Sequence, residues 1–128
     1  MALLHHPRFA LTMRTLFWLA LVFAVVMAVL PSPPNLPIDR FGDKFAHILA
    51  FGTLSGLAAF GFSTEVRWRV AERLSFVGAL IEVVQGIPAL HRDSDIRDWI
   101  ADTLAIIVVM AIAALLQPRP VRETAPAA

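Results

Sequence analysis

No cysteine occurs in the chain, which excludes a disulfide framework, a thiol nucleophile and any cysteine-ligated metal. Charge is the next scarcity. Asp, Glu, Lys and Arg make up 16% of the 128 residues, where a soluble domain carries about 25%. The eleven basic residues are scattered, so they draw no basic stripe and no nucleic-acid partner is expected. An internal repeat is also missing, which argues against an inverted-repeat transporter. Carboxylate, imidazole, hydroxyl and backbone are left to carry any chemistry.

What the chain has in abundance is apolar surface. It is 58% hydrophobic with a mean hydropathy of +0.70, values that fit a bilayer as solvent. Its length predicts one domain, residues 1–128. Residues 15–30 contain no charge; extended back to Phe9 they reach the roughly 20 residues that a span requires, with Arg14 placed to snorkel. A cleaved signal peptide is the weaker reading of this segment, whose apolar run is long and lacks a clean small-x-small site. Pro31, Pro33, Pro34 and Pro37 then impose an extended loop.

Three further helices follow, giving an all-α, four-helix integral membrane bundle over residues 9–30, 42–62, 70–88 and 96–116. Gly52 and Gly56 in the second permit close helix approach, with ordinary packing favoured over a dedicated dimer face. Residues 63–73 read as a polar connection anchored by Trp68 at the interface. Gly86 and Pro88 end the third helix, and Pro118 and Pro120 end the fourth, leaving 118–128 as a disordered tail.

Short connections imply alternating helix directions. Arg8, Arg14, Arg67, Arg69, Arg73, Arg119 and Arg122 then fall on one side, against Arg40, Lys44, Arg92 and Arg97 on the other. The positive-inside rule puts both termini in the cytoplasm of a bacterial inner membrane. Acids distribute the opposite way: Asp39, Asp43, Glu82, Asp93, Asp95, Asp98 and Asp102 lie outside. The start of the second helix, the end of the third and the start of the fourth therefore meet at the external face. Asp43 and His47 share a helix face at i, i+4; Asp98 and Asp102 do the same; Glu82 and Gln85 are three apart. Acids in such an apolar chain need partners or a task.

These residues form an ordered pattern. Asp43-Lys44-x-x-His47, then Glu82-x-x-Gln85, then Arg92 with Asp98 and Asp102-Thr103, resembles the VanZ-like family of small bacterial membrane proteins over residues 40–110. The family pattern has Asn where this chain has Asp102 and Gly where it has Ala105; the first change adds a carboxylate. The resemblance implies a cell-envelope protein linked to glycopeptide (teicoplanin-type) resistance.

Taken together, the expected function is to bind an anionic lipid-linked or cell-wall molecule at an external polar pocket, with modification of that molecule as an extension. Asp43, His47, Glu82 and Asp98 form the candidate acid-base or ion-coordinating group, with His47 as general base or ligand oriented by Asp43. Lys44, Gln85, Arg92 and Asp102 are the candidate ligand contacts, the two cations gripping an anion. Glu82 is expected to stay charged only where a cation such as Lys44 or Arg92 lies close enough to pair with it, a pair that would act as a structural clamp, and Ser94 is a remote candidate nucleophile. No cofactor motif is evident. Magnesium or calcium on oxygen ligands is open, although nothing in the sequence selects it, and zinc lacks a His-x-x-x-His pair. Whether the chain is an enzyme stays open, as do a homo-oligomer, a membrane partner, a non-enzymatic scaffold or accessory role, and an ion-coupled transporter using Glu82.

Overall fold

The computed structural model describes residues 7–117, which form four α-helices: α1 (Pro7–Val29), α2 (Asp43–Gly61), α3 (Arg67–Gln85) and α4 (Ile96–Leu116). The expected tail at 118–128 and the arginines within it lie outside the described residues. Pro31 and the prolines after it stop α1, and the connection closes with a 3-10 turn, Pro37–Phe41, where an extended loop was expected. Gly42 then turns the chain into α2 at φ +91°, a left-handed value that suits glycine, and its carbonyl accepts from the Phe45 and Ala46 N–H groups.

The third helix departs most from expectation. It begins at Arg67, not residue 70, because Arg67 reaches across to α4: its guanidinium donates to the Gln117 carbonyl at 2.7 Å and the Ala113 carbonyl at 3.4 Å. That contact accommodates polar residues inside the first turn. The same helix ends at Gln85, not residue 88, since Ile87 precedes proline and is extended at ψ 117°. A short 3-10 turn, Pro88–Leu90, and His91 in the left-handed region lead towards α4. Asp95 caps α4, its Oδ1 accepting from the Arg97 N–H at 2.9 Å.

Helix α2 packs chiefly on α4 and α1, and α3 packs on α4. The core between them holds Phe51, Leu54, Ala58, Leu74, Ile106 and Met110. Outside that core the bundle is as apolar as within it: Leu19, Phe23, Phe76, Val83, Leu104 and Leu115 are all exposed. Such a surface is untenable in water over this extent and natural in lipid. Helices α1, α2 and α4 are long and apolar enough to cross a membrane, at mean hydropathies of 2.0, 1.2 and 2.4. The chain is thus an all-helical membrane bundle.

Close approach between helices falls elsewhere than the Gly52–Gly56 pair. A Cβ at Gly56 meets nothing within 4 Å, and one at Gly52 reaches only Val109 at 4.0 Å. At Gly61 it would stand 3.0 Å from the Arg14 backbone nitrogen, so α1 and α2 touch there. Arg14 is exposed at this end and donates from Nε to the Gly61 carbonyl at 2.6 Å.

Candidate functional site: a polar corner and its cavity

The start of α2, the end of α3 and the start of α4 do meet at one end of the bundle, beside the end of α1. Lys44 of α2 donates to Asp95 at 3.1 Å and also to Asp98 Oδ1. Gln85 Nε2 donates to the Ala28 carbonyl at 3.0 Å, tying α3 to α1. The end of α3 is tied to α4 by Glu82, whose Oε2 accepts from the Asp95 N–H at 2.9 Å and from Ser94 Oγ at 3.2 Å. Ser94 is therefore a donor to Glu82, and Glu82 takes its hydrogen bonds from the loop, with no Lys or Arg paired to it among the described residues.

His47 sits between two acids in an unexpected order. Its Nδ1 is 3.2 Å from Asp102 Oδ2, while its Nε2 is 4.0 Å from Asp43 Oδ2. The residue that orients the ring is thus Asp102, where Asp43 was expected. The reason is packing: α2 and α4 run side by side from the same end, so Asp102 faces the ring from behind, whereas Asp43 lies a turn away on the open side. Asp102 is fully buried, and its Oδ1 has no hydrogen bond. It sits behind His47 and acts outward through the imidazole, so direct ligand contact, as expected from sequence, is not what its position provides. Gln85, 2% exposed and spent on α1, is likewise structural in position.

A cavity of about 600 Å³ opens between α1, α2 and the proline-rich connection. Phe23, Met27, Ile38, Leu49 and Leu54 give it apolar walls, and Asp43, His47 and Arg92 make its polar end. Glu82 lines a separate hollow of about 260 Å³ with Ser94 and Trp99. The eight candidate residues thus converge on one end of the bundle but divide between two hollows and the packing between helices. Arg92 is half-buried on the wall of the larger one and, among the described residues, forms no ion pair or hydrogen bond. Lys44 differs, being held by two carboxylates. Outside the spanning helices, the Arg97 backbone N–H, and then the Lys44 ammonium, hold the Asp95 carboxyl below its ordinary value.

Several contributors carry no signal of their own in the sequence. Gly78 lets α3 approach the site, since a Cβ there would lie 3.3 Å from Asp102 Oδ2 and 3.4 Å from Phe51 and Trp99. Trp99 donates from Nε1 to the Ser75 carbonyl at 3.0 Å, and Ser75 pairs with Thr103 at 2.8 Å. An indole N–H needs such a partner when taken out of water.

Fold and site together define a helical membrane protein with an amphipathic cavity closed by an acid-histidine corner. Compared with protein-family models, with curated proteins and with solved structures, the chain gives no match.

Proposed function

We propose that this is a VanZ-like protein of the bacterial cytoplasmic membrane, with both termini inside, that binds an anionic lipid-linked or cell-wall molecule. The molecule's apolar chain would lie along the α1–α2 cavity from the outer leaflet, with its anionic head at Arg92. The observation that carries this reading is the half-buried guanidinium of Arg92, unpaired among the described residues, at the polar end of an apolar cavity of about 600 Å³. A guanidinium removed from water without a carboxylate needs an anion, and its planar fork suits phosphate or carboxylate. Lys44 is less suited to that grip because Asp95 and Asp98 already hold it. The orientation rests on the positive-inside rule: Arg8, Arg14, Arg67, Arg69 and Arg73 gather at the opposite end. Modification of the bound molecule is an extension of this reading, with His47 as the acid-base group.

A helix lock is the competing reading, and the Lys44 bridge from α2 to α4 favours it. The two separate by experiment. Full-length protein in neutral detergent is exposed to mixed micelles containing phosphatidic acid or phosphatidylcholine, and bound lipid is counted by native mass spectrometry. Wild type should prefer phosphatidic acid, Arg92→Ala should lose that preference by about tenfold or more, and Arg69→Ala should keep it. Equal retention by wild type and a folded Arg92→Ala variant contradicts the proposal.

A further inference from the structure

The corner holds more negative charge than its cations cover. Asp43, Glu82, Asp95, Asp98 and Asp102 gather there, and Lys44 is the one Lys or Arg side chain ion-paired to any of them among the described residues. Glu82, Asp98 and Asp102 are 7%, 5% and 0% exposed. Burying carboxylates in a bilayer-embedded bundle costs several kcal/mol each unless they are neutralised. Glu82 Oε1 and Asp102 Oδ1 are buried without any hydrogen bond, so the corner's own donors do not satisfy all of its carboxylate oxygens.

Groups able to hold a metal ion are clustered there, too. Asp43, His47 and Asp98 each offer one ligand atom, and the three atoms lie within 4.8 Å of one another. Lys44 occupies Oδ1 of Asp98 and leaves Oδ2 without a hydrogen bond. Asp43, with a side chain 62% exposed, makes none. The buried His47 ring directs Nδ1 to Asp102, leaving Nε2 towards Asp43 with no hydrogen bond. A buried carboxylate behind the imidazole is the arrangement that fixes a metal-binding histidine: Nδ1–H donates backwards, and the Nε2 lone pair points forwards.

We propose that Asp43, His47 Nε2 and Asp98 bind a first-row divalent transition-metal ion, with Asp102 as the positioning residue behind His47. One imidazole and two carboxylates suit zinc or manganese better than calcium or magnesium, which favour oxygen-only sites. Donors around such an ion stand nearer together than 4.8 Å, and the exposed Asp43 at the start of α2 is the group free to close the distance. Asp43 and His47 also line the cavity. Three protein ligands leave a coordination position facing that space, as in open zinc sites. The site stands on these residues alone and does not depend on what fills the apolar arm of the cavity.

The test uses full-length protein in detergent, stripped with chelator and titrated with Zn²⁺ against a chromophoric competitor, with Co²⁺ absorption to report the ligand set. Wild type should take up one equivalent and melt at higher temperature when loaded. Asp102→Asn should weaken binding by about 10–100-fold, and His47→Gln and Asp43→Asn by at least as much. Lys44→Met should tighten it by removing a competing cation from Asp98. Arg92→Ala should lose the lipid phosphate yet keep zinc, so failure of one proposal is distinguishable from failure of the other. Zinc affinity in wild type no greater than in a folded His47→Gln variant, or a folded Lys44→Met variant that binds more weakly, overturns the inference.

Discussion

The two ends of the bundle handle charge in opposite ways. At the arginine end, cations finish on backbone: Arg14 donates to the Gly61 carbonyl, the last of α2, and Arg67 donates to the Gln117 and Ala113 carbonyls at the end of α4. A helix C-terminus carries orphan carbonyls and partial negative charge, so a guanidinium there closes a structural need. At the acid end, carboxylates crowd one another; Lys44 bridges two, and buried oxygens of Glu82 and Asp102 remain without hydrogen bonds. One end uses charge to complete helices. The other end keeps carboxylate oxygens that the fold does not satisfy, and the proposed ligand sites rest on that surplus.

If this contrast is right, damage at the arginine end should read as stability, and damage at the acid end as binding. The largest stability effect is expected from Gly61→Val, whose Cβ would press on the α1 backbone at Arg14. Overpacking of this kind costs about 1–3 kcal/mol. Thermal melting in detergent should fall accordingly, while phosphatidic acid retention at the far end stays as in wild type; lost retention in folded protein would blur the contrast. A smaller loss, about 1 kcal/mol, is expected from Trp99→Phe, which keeps the ring and removes the N–H donated to Ser75. Urea or thermal unfolding of that variant measures it directly.

The smallest effect is a pH dependence. The Arg97 N–H and Lys44 hold the Asp95 carboxyl below its ordinary value, so its contribution to stability is complete above about pH 4, the unfolded value. As pH falls through the folded value that contribution is lost. Melting temperature followed from pH 6 to about pH 3 should therefore drop less in Asp95→Asn, measured against its own neutral value, than in wild type. A parallel decline in both proteins assigns the acid sensitivity to another group.

Much of this organisation was legible in the residues themselves. Long apolar runs broken by Pro31, Pro33, Gly86 and Pro88 predict four helices, and α4 falls at residues 96–116 as read. Alternating direction then gathers the acid motifs at one end before any contact is known. The start of α3 was not legible, because a stretch with three arginines and an exposed Trp68 looks like a connection. Only the reach of Arg67 across to α4 explains the earlier start, and local pattern does not record that reach. The same limit hid the partner of His47. Spacing of i, i+4 favours Asp43, a neighbour on the same helix; the relative register of α2 and α4, which spacing does not encode, gives Asp102 instead. For glycine, small-residue spacing pointed to Gly52 and Gly56, whereas side-chain bulk on the facing helix decides where backbones touch, and that is Gly61.

On the functional proposals above, the acid end is a ligand site and not a clamp between helices. His47→Gln tests it most directly, since glutamine keeps a donor for Asp102 while removing the imidazole from the cavity wall. Melting temperature of the metal-free protein and Zn²⁺ affinity are measured on the same preparation. The expected result is a stability change of no more than about 1 kcal/mol, together with a loss of Zn²⁺ affinity of at least about tenfold. Retained binding, or a fall in stability large enough to account for the loss by unfolding, contradicts it and assigns the corner to holding α2 and α4 together.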